Sequence, residues 1–189
     1  MAKQLKYSDR ILIVRPIEDV FDIVTDVKRA SEWNKSVLGV EIINKGPWSE
    51  RAKSIWHLKS GKETLEMIET VTGFSRPNTI TSTFEITRFL PPTPQQIKDR
   101  KLPNINHEYE LAEQFTGVFG NNPVTGNATM ELVAAGDNET TLQVSYNISI
   151  GGVTGAIGRI SGLFRRKPLK KLLKNIKTVA EAAPENVDG

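Results

Sequence analysis

Two charged residues interrupt otherwise apolar strand faces, and they are the first candidates for chemistry. Glu69 shares a face with Met67 and Val71 at a spacing of two, and Arg88 continues the face that holds Phe84. Burying a charge costs several kcal/mol unless the charge is paired, so an inward charge needs a partner. Glu69 and Arg88 therefore predict either a buried ion pair or a site for the polar head of a ligand. The alternative is that each lies at a strand end and reaches solvent.

Several other chemistries are excluded by composition. The chain has no cysteine, which rules out a disulfide scaffold, a thiol nucleophile and a zinc ribbon. Its two histidines, His57 and His107, are too few for a three-histidine metal site within one chain. The glycine pair Gly151-Gly152 lacks the strand-to-helix pattern of a phosphate loop. We therefore expect no metal and no cofactor.

The elements that must position these residues begin with a strand over 4–14. Arg15-Pro16 ends it, because proline restricts the preceding residue to extended geometry and suits the first turn of a helix. The apolar residues from Ile17 to Val24 then follow with helical spacing, and a second short helix ends near Trp33. Alternating apolar residues separated by turns predict an antiparallel meander with strands in the ranges 37–44, 52–58, 65–71, 80–86, 128–134 and 142–150.

The rest of the chain predicts an insertion and a terminal helix. Residues 88–125 break the strand rhythm with prolines and glycines, and a segment of this length between strands is usually functional or disordered. Residues 169–183 carry an apolar face at helical spacing, and Pro168 should kink or restart that helix. We expect a single domain over 1–184 and a polar tail over 185–189.

Four stretches of this sequence carry a resemblance. They are the strand–Pro–helix opening 13–26 (IVRPIEDVFDIVTD), the aromatic Trp33, the Glu69-Thr70-Val71 strand with the Arg76-Pro77 turn, and the helix 169–181. Together they resemble the helix-grip fold of the START-like (SRPBCC) superfamily, which includes polyketide cyclase/dehydrase-like proteins and the birch pollen allergen. The resemblance implies an α+β fold in which a curved antiparallel sheet grips a long C-terminal helix, with two short helices after strand 1. These are packing motifs, which identify a fold better than a function.

The resemblance also implies an apolar cavity between the sheet and the helix, of the kind that holds lipids, sterols, polyketides or quinones. It implies further that the insertion over 88–125 is a lid or an extended rim of this cavity. Transfer of apolar ligand surface from water into such a cavity gains ~0.8 kcal/mol per methylene. For each apolar residue on the inner side, the alternative is that it only fills the core. Strand parity and helix spacing give the inward candidates Trp56, Met67, Glu69, Phe84, Arg88, Met130, Leu132, Tyr146, Phe164, Leu172 and Ile176.

Three functions fit this architecture. We favour a noncatalytic binding or carrier protein for a small hydrophobic ligand. The first alternative is a polyketide cyclase/dehydratase-like enzyme, in which a buried Tyr, Arg or carboxylate acts as acid or base. The second alternative is a protein- or membrane-interaction module. Two inward titratable groups converging on one cavity would favour the enzyme, scattered polar groups the carrier, and a filled core the interaction module.

Charge is distributed unevenly along the chain. The formal net charge is only +3, which does not indicate nucleic-acid binding. No acidic residue lies between Glu139 and Glu181, although that interval holds eight basic residues, so the C-terminal helix is basic on one side. That side could contact an anionic membrane or an acidic protein, or it could be an ordinary solvated face. No targeting or membrane-spanning segment is visible, so we expect a cytoplasmic protein; the oligomeric state stays open.

Overall fold

A seven-stranded antiparallel sheet forms the body of the molecule. In this computed structural model the described residues are 3–44, 48–60, 63–91, 98, 110, 113, 123–151 and 166–182. The strand order is β1-β7-β6-β5-β4-β3-β2, so consecutive strands from β2 to β7 are neighbours and β1 closes onto β7. The strands are β1 (Lys3–Ile13), β2 (Val37–Ile42), β3 (Lys53–Ser60), β4 (Glu63–Ser75), β5 (Thr79–Leu90), β6 (Val124–Gly136) and β7 (Glu139–Ile150).

Helices cover one face of this sheet, which we call the inner face. They are α1 (Ile17–Thr25), a 3-10 turn (Val27–Arg29), α2 (Ala30–Trp33) and α3 (Arg166–Ala182). Pro16 immediately precedes α1, as its fixed φ favours, and Val20, Phe21 and Val24 form the buried side of that helix. The helix-grip α+β fold predicted above, with two short helices after the first strand and a meander before the last helix, is confirmed.

The long helix α3 is tied to the end of β1 by polar contacts as well as by its apolar side. Leu169, Leu172, Leu173, Ile176 and Ala180 of α3 are buried in the core. The backbone N–H of Val14 donates to Glu181 Oε1 (2.8 Å), and Lys177 Nζ donates to the carbonyl oxygen of Leu12 (2.7 Å). These two bonds fix the C-terminal end of α3 against β1.

A β-bulge in β5 overturns one site prediction. Glu66 pairs with Arg88 and Met67 pairs with Ile86, so Thr87 is an extra residue that reverses the alternation of β5. Phe89 therefore turns to the inner face and is buried, and the side chain of Arg88 turns outward and is 54% exposed. The prediction of an inward Arg88 is wrong, because the parity of Phe84 and Ile86 does not continue past the bulge.

The predicted insertion is shorter at its ends than the sequence indicated. β5 continues to Leu90 and β6 begins at Val124, so both ends of 88–125 belong to the sheet. The lid prediction falls mostly on residues outside the described ones, as does the tail over 185–189. Pro168 is the third residue of α3 as the structure describes that helix. None of the helices in the described ranges is long and apolar enough to cross a bilayer.

Candidate functional site

A cavity of about 120 Å³ lies between the inner face of the sheet and the first turns of α3. A water molecule needs only about 10–15 Å³ measured in the same way, so this space is large enough for a small organic molecule. Its walls are mainly apolar and aromatic. The side chains lining it come from α2 and the turn after it, from the five strands β3 to β7 and from α3: Trp33, Asn34, Ser36, Trp56, Leu58, Met67, Glu69, Phe84, Ala128, Met130, Tyr146, Pro168, Leu169 and Leu172.

The structure brings most of the predicted site residues to this one cavity. Seven of the eleven inward candidates line it: Trp56, Met67, Glu69, Phe84, Met130, Tyr146 and Leu172. Ile176 and Leu132 point inward, as predicted, but they are buried in the core beyond the cavity. Arg88 lies on the outer face, and Phe164 lies outside the described residues.

Three polar or aromatic residues at one side of the cavity were not predicted to be part of it. Trp33 ends α2, and Asn34 and Ser36 follow in the turn before β2. Asn34 Oδ1 accepts a hydrogen bond from the backbone N–H of Ser36 (3.1 Å), which holds this turn. The sequence feature that could have predicted these three lining residues is Trp33, which the resemblance identified only as an aromatic packing residue. Its position beside two turn residues could have indicated the edge of a cavity.

Glu69 is the central polar group of the cavity. Ser82 Oγ donates to Glu69 Oε1 (2.6 Å), and the Trp56 indole, which donates to Ser54 Oγ (2.9 Å), also hydrogen-bonds the Glu69 carboxyl. Burial raises the pKa of the Glu69 carboxyl, and the hydrogen bonds from Ser82 and Trp56 offset that effect only in part. The site therefore holds a carboxyl group with an increased tendency to keep its proton.

Tyr146 supplies a second titratable group to the same cavity. Burial and, secondly, the nearby charge of Glu69 raise the pKa of the Tyr146 hydroxyl, so that it stays protonated at physiological pH. The Tyr146 ring meets the ring of Phe84 edge-on, with centroids 6.5 Å apart. Glu69 lies directly opposite Phe84 across the β4–β5 pair. A carboxyl and a phenol thus converge on one space that is bounded by aromatic rings.

Trp33 contributes an indole N–H that no described residue accepts. Its side chain is buried, with 4% of its surface exposed, and its indole Nε1–H has no hydrogen-bond partner among the described residues. An unsatisfied buried donor costs about 1–3 kcal/mol. Because Trp33 lines the cavity, an acceptor oxygen on a bound molecule is one way to satisfy this group.

Gly126 shapes the cavity by letting a ring lie on the strand backbone. It pairs with Phe84 in β5, and a Cβ atom at Gly126 would lie 2.5 Å from Phe84 Cζ and 2.8 Å from the carbonyl oxygen of Asn147. Only glycine allows this approach. The Phe84 ring forms one wall of the cavity, and its position depends on residue 126 having no side chain.

On the outer face, Arg88 belongs to a separate polar cluster. Its guanidinium donates to Glu66 Oε2 (2.7 Å), and Thr87 Oγ1 donates to Glu66 Oε1 (2.9 Å). His57 Nε2 lies 3.9 Å from the same carboxyl. Burial acts to raise the pKa of Glu66, but the bonds from Arg88 and Thr87 outweigh it and lower that pKa. Arg88 and Glu69 therefore do not form the buried pair that was one of the two expectations.

The basic side of α3 is exposed in part. Lys170, Lys171 and Lys174 face solvent, whereas Lys177 is engaged with Glu181 and with β1. Contact of this side with an anionic membrane or an acidic protein stays a prediction. Within the described ranges, no three His, Asp or Glu side chains are grouped closely enough to hold a metal ion.

Comparison with known proteins places the chain among helix-grip proteins. Residues 4–100, just over half of its length, match the model of a family described as polyketide cyclase/dehydrase and lipid transport. No curated protein matches the chain by sequence.

Several solved structures share the fold at low sequence identity. A conserved protein from Geobacillus kaustophilus aligns with a TM-score of 0.63 and 16% identity, over 93% of this chain and 95% of that one. An aromatase/cyclase from a Streptomyces species aligns with a TM-score of 0.60 and 11% identity, over 95% and 94%. A START superfamily protein from Mycobacterium smegmatis aligns with a TM-score of 0.58 and 15% identity, over 93% and 97%. At these identities the likeness shows the fold alone.

Proposed function

This chain belongs to the polyketide cyclase/dehydrase and lipid transport family, and on that premise we propose that it binds a small, largely apolar ligand in the cavity between the sheet and α3. The single observation that carries the proposal is the unfilled space of about 120 Å³ with aromatic and aliphatic walls. An apolar cavity of about 150 Å³ accommodates benzene, so the space suits a ligand, or the inner part of one, about the size of a single ring.

Polar groups at this cavity are few and suited to orienting a ligand. Glu69 and Tyr146 lie against the central strands, and the Trp33 indole lies at the α2 side. A ligand that buries six carbons would gain about 5 kcal/mol from transfer out of water, before the cost of association is subtracted. We expect the hydrocarbon part to supply the affinity and the three polar groups to select the orientation.

Native mass spectrometry of the purified protein, followed by solvent extraction of the bound fraction, tests the proposal. The matched variants are Ala128→Phe, which places a ring in the cavity, and Ala134→Phe, which places the same ring at an exposed position of the same strand. We expect a noncovalent adduct on the wild type and on Ala134→Phe, and none on Ala128→Phe. An adduct that survives Ala128→Phe unchanged would contradict binding at this cavity.

A second candidate function is acid–base catalysis in the same cavity. The specific observation in its favour is that two titratable groups, Glu69 and Tyr146, converge on one partly apolar space. A carboxyl group whose pKa is raised by burial is suited to move a proton near neutral pH, and a phenol beside it can donate a hydrogen bond to a developing enolate oxygen. The family description covers both cyclase/dehydrase enzymes and lipid transport proteins, so it is compatible with either candidate.

Hydrogen–deuterium exchange of the methyl protons of acetophenone separates the two candidates. Abstraction of a proton next to a ring-bound carbonyl is a step that cyclisation and dehydration of polyketide-like substrates require. If Glu69 acts as the base, the wild type accelerates the exchange in D₂O and Glu69→Gln does not, as NMR integration of the methyl signal would report. Equal exchange rates for the wild type, Glu69→Gln and buffer would leave the binding function and remove the catalytic one.

A further inference from the structure

Within the described part of the chain, the partly buried acid of the cavity, Glu69, has no cationic partner. Among the described residues, no lysine or arginine forms an ion pair with Glu69, and its carboxyl accepts hydrogen bonds from Ser82 and Trp56. The described cavity lining also contains no lysine, arginine or histidine; its titratable members are Glu69 and Tyr146. The charge that would balance an ionised Glu69 is therefore not supplied by the described part of the chain.

Aromatic rings surround this acid. Phe84 lies directly opposite Glu69 in the neighbouring strand, and the Trp56 indole hydrogen-bonds the Glu69 carboxyl. Tyr146 is close enough that the charge of Glu69 raises the pKa of its hydroxyl. Phe84 and Tyr146 meet edge-on, so their faces point in different directions around the same space. The negative faces of such rings attract a cation that lies within about 6 Å of a ring centroid.

Each class of ligand head group would meet a different environment here. A carboxylate or phosphate would be repelled by ionised Glu69, and no cation of the described lining would pair with it. A hydroxyl or carbonyl would find one or two hydrogen-bond partners. A protonated amine would find both a carboxylate and aromatic faces, which together offset the cost of taking its charge out of water.

Resting on the proposed binding function, we infer that the cavity selects small organic amines: a ring-sized apolar body whose ammonium group lies against Glu69 and the faces of Trp56, Phe84 and Tyr146. Burial in the empty cavity favours the protonated form of the Glu69 carboxyl, whereas an ammonium group beside it favours the ionised form. Binding of a protonated amine should therefore lower the pKa of Glu69 and release protons.

A matched set of three ring compounds tests this selectivity: benzylamine, benzyl alcohol and benzoate. All three carry the same ring, and their head groups are cationic, neutral and anionic, respectively. Protein-observed NMR titration near neutral pH gives the dissociation constants, with the indole N–H signals of Trp33 and Trp56 as reporters of the cavity. We expect benzylamine to bind about tenfold more tightly than benzyl alcohol, and benzoate to bind least.

Two glutamate variants in β4 distinguish the contribution of the Glu69 charge to binding from the effect of any glutamate-to-glutamine change in this strand. Glu69→Gln removes the carboxylate at the cavity, and Glu66→Gln makes the same chemical change on the outer face. Glu69→Gln should remove the preference for benzylamine while benzyl alcohol still binds, and Glu66→Gln should keep the preference. Calorimetric titration in two buffers of different ionisation enthalpy should show proton release with benzylamine for the wild type and none for Glu69→Gln.

The outcomes distinguish the inference from the function on which it rests. If benzyl alcohol binds at the cavity and benzylamine binds no more tightly, the amine inference is wrong and the proposed binding function stands. The inference also fails if the preference for benzylamine survives Glu69→Gln. If none of the three compounds shifts the Trp33 or Trp56 signals, both the inference and the proposed function are contradicted.

Discussion

Adding one methyl group at Gly126 should disturb both stability and the cavity. In Gly126→Ala the new Cβ would lie 2.5 Å from Phe84 Cζ and 2.8 Å from the carbonyl oxygen of Asn147. Carbon atoms in favourable contact are about 3.5–4.0 Å apart, so the Phe84 ring must move by about 1 Å. The carbonyl oxygen of Asn147 belongs to the β6–β7 ladder and cannot move independently of it.

The expected loss of stability follows from overpacking. Forcing an extra carbon into a packed site costs about 1–3 kcal/mol, and Gly126 has both a ring and a backbone atom in the way. For a domain of this size, each kcal/mol lowers the melting temperature by about 2–4 °C. Phe84 lines the cavity, so a displacement of its ring in Gly126→Ala should also weaken the binding of benzyl alcohol.

Urea denaturation of Gly126→Ala beside Gly39→Ala measures this effect. Gly39 is also a strand glycine, in β2, and a Cβ added there would meet no atom within 4 Å. Gly39→Ala should be neutral or stabilising by about 0.4–1 kcal/mol, because alanine restricts the unfolded chain. Equal unfolding midpoints for the two variants, or unchanged ligand binding in Gly126→Ala, would refute the reasoning from the ring contact.

Three further predictions concern charges. First, Glu69 and Glu66 should give opposite pH profiles. Because the folded-state pKa of Glu69 is raised, the wild-type protein should lose stability as the pH rises above the usual glutamate pKa of about 4, and Glu69→Gln should not show this loss in urea denaturation. The folded-state pKa of Glu66 is lowered, so Glu66→Gln should lower the free energy of unfolding by about 1 kcal/mol at neutral pH, and this loss should shrink as the pH falls. If the stability difference from the wild type changed with pH in the same direction for both variants, the opposite environments assigned to Glu69 and Glu66 would be contradicted. Second, Arg88→Leu should leave the affinity for benzyl alcohol in an NMR titration unchanged, because Arg88 faces away from the cavity. A loss of affinity would contradict this outward placement and indicate that Arg88 takes part in binding. Third, the exposed lysines of α3 predict cosedimentation with anionic vesicles at low salt that disappears at high salt, since each such lysine near the surface contributes about 1 kcal/mol; no cosedimentation at low salt would leave that side of α3 as a solvated face.

Sequence periodicity predicted the faces of the strands well, because the side-chain period of two is a local property. Met67, Phe84, Met130 and Tyr146 all point inward as their parity required, and all of them line the cavity. The alternation of side chains does not show which inward residues of a strand line the cavity and which are packed in the core. Leu132, two residues beyond Met130, is packed in the core instead, and only the three-dimensional position of α3 decides where filled core ends and cavity begins.

The failures of sequence reasoning have identifiable physical causes. The outward turn of Arg88 depends on one bulged residue, Thr87, and a bulge leaves no mark in a pattern of apolar residues. Trp33 joins the cavity because α2 folds back over the sheet, which is a tertiary contact. The pairing of Glu69 with Ser82 and Trp56 follows from strand register, which short-range patterns do not encode.

The three tryptophans of the chain provide the most direct test of a ligand-binding cavity. Trp33 and Trp56 line the cavity, whereas Trp48 packs edge-on against Phe74 away from it. In an NMR titration with benzyl alcohol, we expect the indole N–H signals of Trp33 and Trp56 to shift together along one binding curve and the Trp48 signal to stay in place. Shifts confined to Trp48, or no saturable shift of any of the three signals, would contradict this expectation.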